Sequence, residues 1–273
     1  LELRTFSLPV PAASASQLLE IVEGALSSRT RLLSLSHVTF TTGTRLPVEE
    51  IGRMCGERGI IFVVDGAHPP GMMHVDLSSW AKDFYASSPH KWLLAPQGTG
   101  LLYLGQAWRT RLWPTLASGG WDDLELGAQR LNHLGTLDES RMVGLLAAVE
   151  FIAMIGMTRI EARVRLLHER LDGALRSLPG VRVVSPSVGE LSTGMVSFEM
   201  EGVDSLALQR HLAQVAKVRT RVISEYDYGW MRLSTHIYNL PEEVDRVADL
   251  LDDVRRKGLV QGLSSENGVG RDF

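Results

Sequence analysis

The run "IIFVVD", residues 60–65, constrains this chain more than any other stretch. Its apolar residues are nearly all β-branched and follow one another without a polar break. That pattern fits a strand buried on both faces, as in a parallel sheet. The segment before it, "PVEEIGRMCGERG" (47–59), reads as a helix. Pro47 suits a first turn, acidic residues follow it, and Gly59 suits a C-terminal end. "TRLLSLSHV" (30–38), "DFYASS" (83–88) and "GLLYL" (100–104) are further strand candidates, and "LELRTFSLP" at the start reads as another. Strand–helix–strand order with such runs implies an α/β fold with a mostly parallel sheet.

The pattern changes after Asp138. "ESRMVGLLAAVEFIAMIG" and "IEARVRLLHERLDGALRSL" have helical periodicity, with Gly156 as the break between them. From residue 179 onward come "VRVVS", "TGMVSFEM", "VDSLALQRHLAQ", "VRTRVIS", "WMRLST" and "PEEVDRVADLLDDVRRKG". These read as strand, strand, helix, strand, strand, helix, the last framed by Pro241 and Gly258. The expected organisation is a large domain over 1–137, connecting helices over 138–178 and a small α+β domain over 179–258. The polar, Gly-rich stretch 259–273 is expected to be disordered.

Composition narrows the function classes. The 273 residues are 44% hydrophobic and 22% charged, enough for a sizeable core. A net charge of −4 argues against an electrostatic nucleic-acid binder, and no apolar run is long enough to span a bilayer. The N-terminal residues show neither a basic n-region nor an apolar h-region. One cysteine, Cys55, leaves no intrachain disulfide and no cysteine metal cluster, so a cytoplasmic protein is the default expectation. The eight histidines show no metal spacing. "GTG" (98–100) lacks both P-loop and dinucleotide-binding spacing.

Two residues stand where chemistry is placed in open α/β sheets, at strand carboxyl ends. Asp65 closes one strand, and Lys91 follows another among Ser87, Ser88, His90 and Trp92. Asp65-Gly66 alone reads as an ordinary turn, and a lone lysine is more often a solvated surface charge. An adjacent aromatic and a neighbouring cation would favour the free, nucleophilic amine. Together, a lysine and a carboxylate suit pyridoxal phosphate (PLP): the amine forms the Schiff base, and the carboxylate keeps the ring nitrogen protonated.

"SHVTFTTGTRLPVEEI", "VDGAHPPG" and "DFYASSPHKWLLAPQGTGLLYL" together resemble the class V aminotransferases, fold-type I PLP enzymes, and within them the isopenicillin N epimerase-like members. "NHLGTLDESRMVGLLAAVEFI" (132–152) and "MRLSTHIYNLPEEVDRV" (231–247) follow in the family's order, so the resemblance runs over residues 1–258. It implies Lys91 as Schiff-base lysine and Asp65 as pyridinium partner. It places His68 near the cofactor's phenolic oxygen, with Ser88 and His90 at its phosphate. Thr136 would reach the phosphate of the partner subunit's cofactor, which implies a homodimer. Arg232 would grip the α-carboxylate of a small amino-acid substrate, a task suited to a guanidinium fork. His236 and Tyr238 belong to the same signature and read as structural; Trp92 and Tyr103 read as core.

The sequence also departs from the family. The N-terminal part of the large domain, which supplies a side chain stacked on the ring and a phosphate loop, has no counterpart among these residues. Phe40 stands where cysteine desulfurases carry an asparagine, and "HLAQVAKVRTRVISEYDYGW" offers no nucleophilic cysteine. Cys55, within a helix, reads as structural. The expectation is therefore an enzyme acting at the α-carbon of an amino acid by epimerisation or transamination, with neither nucleic acid nor membrane as partner. Two other readings remain open: a cysteine-independent, β-eliminating C–S lyase, and a truncated non-catalytic relative that keeps the fold and dimer surface.

Overall fold

The apolar run becomes β2 (Ile61–Asp65), an inner strand of a four-stranded sheet, in a computed structural model that describes residues 1–80, 83–132, 135–136 and 138–259. The sheet order is β1 (Leu32–Ser36), β2, β3 (Phe84–Ser87), β4 (Leu101–Leu104). The first three strands are parallel and β4 is antiparallel to β3, which makes this an α/β unit with a mixed sheet. Burial along β2 alternates: Phe62 and Val64 are buried, while Ile61 and Val63 are half-buried. The expectation of a strand buried on both faces thus holds for only one of them.

Two compact units make up the chain. The first comprises Leu1–Leu8, Ser14–Val38 and Leu46–Glu161. Its helices are α1 (Ala15–Ala25), α2 (Val48–Glu57) and α3 (Ser140–Ile155). Ser14 caps α1, its hydroxyl accepting the Gln17 N–H at 3.1 Å. Helix α2 turns Val48, Ile51 and Cys55 inward, onto a core with Leu33, Phe62, Val64, Trp80 and Tyr85. Asp83 ties the sheet to the loop beyond it by accepting the Phe62 N–H (2.8 Å) and the Trp108 indole N–H (2.6 Å). The opening residues do not form the expected strand. Phe6 and Leu8 pack against this core as side chains without joining a ladder, and the prolines at 9 and 11 offer no N–H to one.

The second unit comprises Pro9–Ala13, Thr39–Arg45 and Ala162–Phe273. Most of α4 (Met157–Ser177) belongs to it. Then follow β5 (Val181–Val183), β6 (Met195–Met200), α5 (Ser205–Ala216), β7 (Arg221–Ile223), β8 (Trp230–Ser234) and α6 (Pro241–Lys257). The strands form an antiparallel sheet in the order β5-β6-β8-β7. One face carries Val183, Val196, Phe198, Met231 and Leu233, which share a core with Leu167 and Leu171 of α4, Leu208 of α5 and Val247 and Leu251 of α6. Each such side chain contributes about 1.5–3 kcal/mol on full burial.

Part of the other face is covered by Thr39–Arg45. Four successive carbonyls of this segment are held by four side chains. Arg232 donates to Phe40 (2.5 Å), Ser197 to Thr41 (2.6 Å), Ser185 to Thr42 (2.6 Å) and Thr193 to Gly43 (2.7 Å). Gly43 has φ +68°, and a Cβ there would lie 2.7 Å from the Met195 carbonyl oxygen.

Helix α6 starts as its sequence indicates. Pro241 occupies its first turn, and Glu243 Oε2 accepts the Leu240 N–H at 2.9 Å and an Asn239 amide hydrogen at 3.0 Å. Acidic Glu242 and Glu243 at its start and Arg255, Arg256 and Lys257 at its end complement the helix dipole. The rings of His236 and Tyr238, just upstream, stack at 4.6 Å. Residues 260–273, most of the stretch expected to be disordered, lie outside the described residues. Among the described residues no single helix is long and apolar enough to cross a membrane.

Candidate active site

Asp65 and the loop carrying Lys91 leave the sheet side by side, because β2 and β3 are parallel neighbours with Asp65 opposite Ala86. Two glycines set the path of the loop after Asp65. Gly66 donates its N–H to the Ala86 carbonyl at 2.6 Å, and a Cβ on it would lie 1.9 Å from the Tyr85 ring. That ring is held by the Tyr85 hydroxyl, 3.0 Å from His37 Nδ1. Gly71, at φ +90°, passes so close to Trp92 that a Cβ would lie 2.3 Å from its carbonyl oxygen. The "GAHPPG" loop therefore lies against the backbone at Trp92–Leu93 and delivers His68 to Lys91.

His68 is buried and contacts both residues that follow His90 in sequence. Its Nδ1 accepts the Trp92 indole N–H at 3.1 Å, and its Nε2 is 3.4 Å from Lys91 Nζ. An indole N–H only donates, so Nδ1 is the unprotonated nitrogen and the neutral ring carries its proton on Nε2. That nitrogen faces Lys91 Nζ. Lys91 is itself exposed. Trp92 does not desolvate it, as its sequence neighbourhood suggests, because the indole turns inward to His68.

Asp65 Oδ1 accepts the Ala67 N–H at 2.9 Å, which fixes the carboxylate and leaves Oδ2 for another donor. Ser88 and His90 share one turn, closed by the Lys91 N–H to the Ser88 carbonyl (3.0 Å). His90 is exposed and not a packed core histidine; its Nδ1 donates to the Thr99 carbonyl at 3.0 Å, leaving Nε2 outward. Beside them Ser87 Oγ is buried with no hydrogen-bond partner among the described residues. A buried hydroxyl in that state calls for a ligand or water. An amine for an aldehyde, a carboxylate for a pyridinium N–H, and hydroxyls with an imidazole for a phosphate fit PLP group by group.

Thr136 is exposed and follows Gly135, whose φ is +104°. The entry to α3 is organised by Asp138, which accepts the Ser140 N–H (3.1 Å) and hydroxyl (2.5 Å), so Thr136 is not needed as a helix-entry residue.

Arg232 lies in the second unit, on the face partly covered by Thr39–Arg45. Its Nε is buried without a hydrogen-bond partner among the described residues, and its terminal nitrogen holds only the neutral Phe40 carbonyl. Burial, with the nearby Arg221 guanidinium, pushes its pKa down to about 10, and Glu225 partly opposes this. A guanidinium so poorly compensated is suited to an incoming anion. Cys55 is fully buried, and burial first, then Asp83, push its thiol up to about 11. It has none of the character of a nucleophilic thiolate.

Sequence reading brought Asp65, His68, Ser88, His90 and Lys91 to these two loops. It missed Trp92, whose only signal was adjacency to Lys91, and Arg221 and Glu225, which carry no motif.

The family model for class V aminotransferases matches residues 5–247. The chain is 37% identical to isopenicillin N epimerase of Streptomyces clavuligerus over 267 residues, covering 92% of this chain and 67% of the relative. Its backbone is similar to apo cysteine desulfurase from Thermococcus onnurineus NA1, with TM-score 0.78, 27% identity and coverage of 90% and 65%. It is also similar to the cystine C-S lyase C-DES in complex with cysteine persulfide, with TM-score 0.76, 26% identity and coverage of 89% and 66%. The chain thus spans about two thirds of the length of the proteins it matches. With this fold and these matches, the chain belongs to the class V aminotransferase family, whose members are fold-type I enzymes with pyridoxal 5'-phosphate as cofactor.

Proposed function

We propose that this chain binds PLP and acts as an enzyme that moves a proton at the α-carbon of an amino acid. The single observation that carries this is Lys91 Nζ held 3.4 Å from His68 Nε2, at the strand end next to Asp65. When bound, the cofactor supplies an electron sink for the α-carbon. Lys91 would hold the cofactor through its aldehyde carbon, and its amine would serve as the general base for the α-proton. His68, with its proton on Nε2, orients that amine. Asp65 Oδ2 accepts from the ring nitrogen and keeps it protonated. Ser88 and His90 bind the phosphate, joined by Ser87 Oγ. Arg232 binds the substrate carboxylate and exchanges the Phe40 carbonyl for it. Thr136 reaches the phosphate held by a second copy of the chain in a homodimer.

Likeness to isopenicillin N epimerase favours return of the proton to the α-carbon with inversion, with transamination as the variant in which it returns elsewhere. Likeness to the C-S lyase supports a second reading, β-elimination from a sulfur-bearing amino acid without a cysteine nucleophile. A desulfurase mechanism does not suit Cys55, given its burial and raised pKa.

The test is spectroscopic and then chemical. Full chain mixed with PLP is expected to show the visible absorbance of lysine-bound cofactor, and Lys91→Ala to abolish it. Retention of the band in Lys91→Ala overturns the assignment; no band in the unaltered chain points to a non-catalytic relative. An amino-acid panel analysed for inverted enantiomer, keto acid and pyruvate then separates the three reactions.

A further inference from the structure

Arg232 does not stand alone on its face of the sheet. The β7–β8 register places Arg221 directly opposite it, so two guanidiniums share one face of two adjacent strands. Like charges so placed repel, and Arg221 is among the influences that depress Arg232. Glu225, just past β7, acts on both of them. Its Oε1 accepts from Arg221 at 2.6 Å. Its Oε2 is buried and has no hydrogen-bond partner among the described residues, though its charge acts on Arg232. Arg221 is thus engaged by a carboxylate, while Arg232 Nε has no hydrogen-bond partner among the described residues. The cluster therefore reads as a two-arginine anion site in which one position is already filled by the protein's own acid.

We propose that Glu225 is the specificity-determining residue of the carboxylate subsite. By holding Arg221, it makes the subsite take an amino acid with a single acid group and turn away one whose second acid group is directed there. This rests on the reading of Arg232 as the carboxylate-binding residue. A monoacid finds Arg232; a diacid brings its second carboxylate against the Glu225 carboxylate, at short range and partly out of water, where repulsion is strong. Removing the charge at Glu225 removes that repulsion and leaves the excess positive charge of the two guanidiniums for a second anion. The same cluster would then recognise dicarboxylates by two arginines in place of one.

Propionate and glutarate, which lack an amine, probe the subsite without any reaction; their dissociation constants with full chain follow from ligand-observed NMR. Glu225→Gln is expected to tighten glutarate by about tenfold while propionate stays within about twofold, one charge-assisted pair being gained for the diacid alone. Glu225→Asp keeps the charge and is expected to keep the unaltered preference, which separates charge from damage to the fold. Arg221→Gln added to Glu225→Gln is expected to cancel the gain. If Glu225→Gln changes both probes equally, or neither, the proposal fails. Failure of the underlying reading looks different: Arg232→Gln would then leave propionate binding intact in every background.

Discussion

At the scale of single residues, the contact that most deserves a direct measurement is the indole of Trp92 on His68 Nδ1. It is a choice of tautomer made by a side chain that touches no reacting atom. Trp92→Phe keeps most of the ring volume and removes the donor. His68, now predominantly protonated on Nε2, is expected to become a mixture of tautomers, visible in long-range ¹H–¹⁵N spectra of the histidine side chains. An unchanged pattern would mean that other contacts set the tautomer. The placement of Lys91 and Asp65 beyond neighbouring strand ends was legible in the sequence, because apolar runs locate the strands that precede them. The tautomer was not, because it depends on which way an indole turns. "HKW" shows an aromatic beside a lysine and suggests desolvation; the folded chain spends that aromatic on the histidine instead.

At the scale of elements, backbone geometry was legible where local rules decide it. Pro241, Glu243 and the charges along α6 locate that helix without tertiary information. Strands β1 to β4 were legible as apolar runs, but not the one-sided burial of β2, which depends on what packs over it. Still less legible was the attachment of Thr39–Arg45 to a sheet whose strands lie some 150 residues later. Polar Ser185, Thr193 and Ser197 look like surface residues in sequence and prove to be buried donors to carbonyls. Gly43 tests this arrangement. Gly43→Ala combines a left-handed φ with a clash against Met195 backbone, so a loss of about 2–4 kcal/mol in unfolding free energy is expected by chemical denaturation. Gly24→Ala, in α1 with open space around its Cβ position, is the control and should be neutral or slightly stabilising.

At the scale of the whole molecule, stability should depend on pH through His168. This α4 residue is buried, and neither ring nitrogen has a hydrogen-bond partner among the described residues. Burial pushes its pKa down; Asp172 and Glu169 oppose this, and Arg176 adds to it. The unfolded chain, with an ordinary histidine pKa of about 6.5, then binds the proton more readily than the folded one. Stability from this group is complete above that value and is lost as pH falls through the lower folded pKa. Thermal melts between pH 7.5 and 5 should show the decline, and His168→Phe should flatten it. Because the ring makes no polar bond to lose, that substitution is expected to cost less than about 1 kcal/mol at pH 7.5. A slope that persists in His168→Phe would assign the effect to other groups.

The carbonyl clamp over Thr39–Arg45 carries one more consequence, for how the chain can be divided. The segment is encoded between β1 and α2 yet belongs with strands β5 to β8. A gene cut near residue 161 would not release two self-sufficient halves. The downstream half would lack the strip that satisfies Ser185, Thr193, Ser197 and Arg232, and the upstream half would carry that strip with nothing to bind it. The two units are interleaved along the polypeptide, and the second can be completed only in the presence of residues encoded within the first.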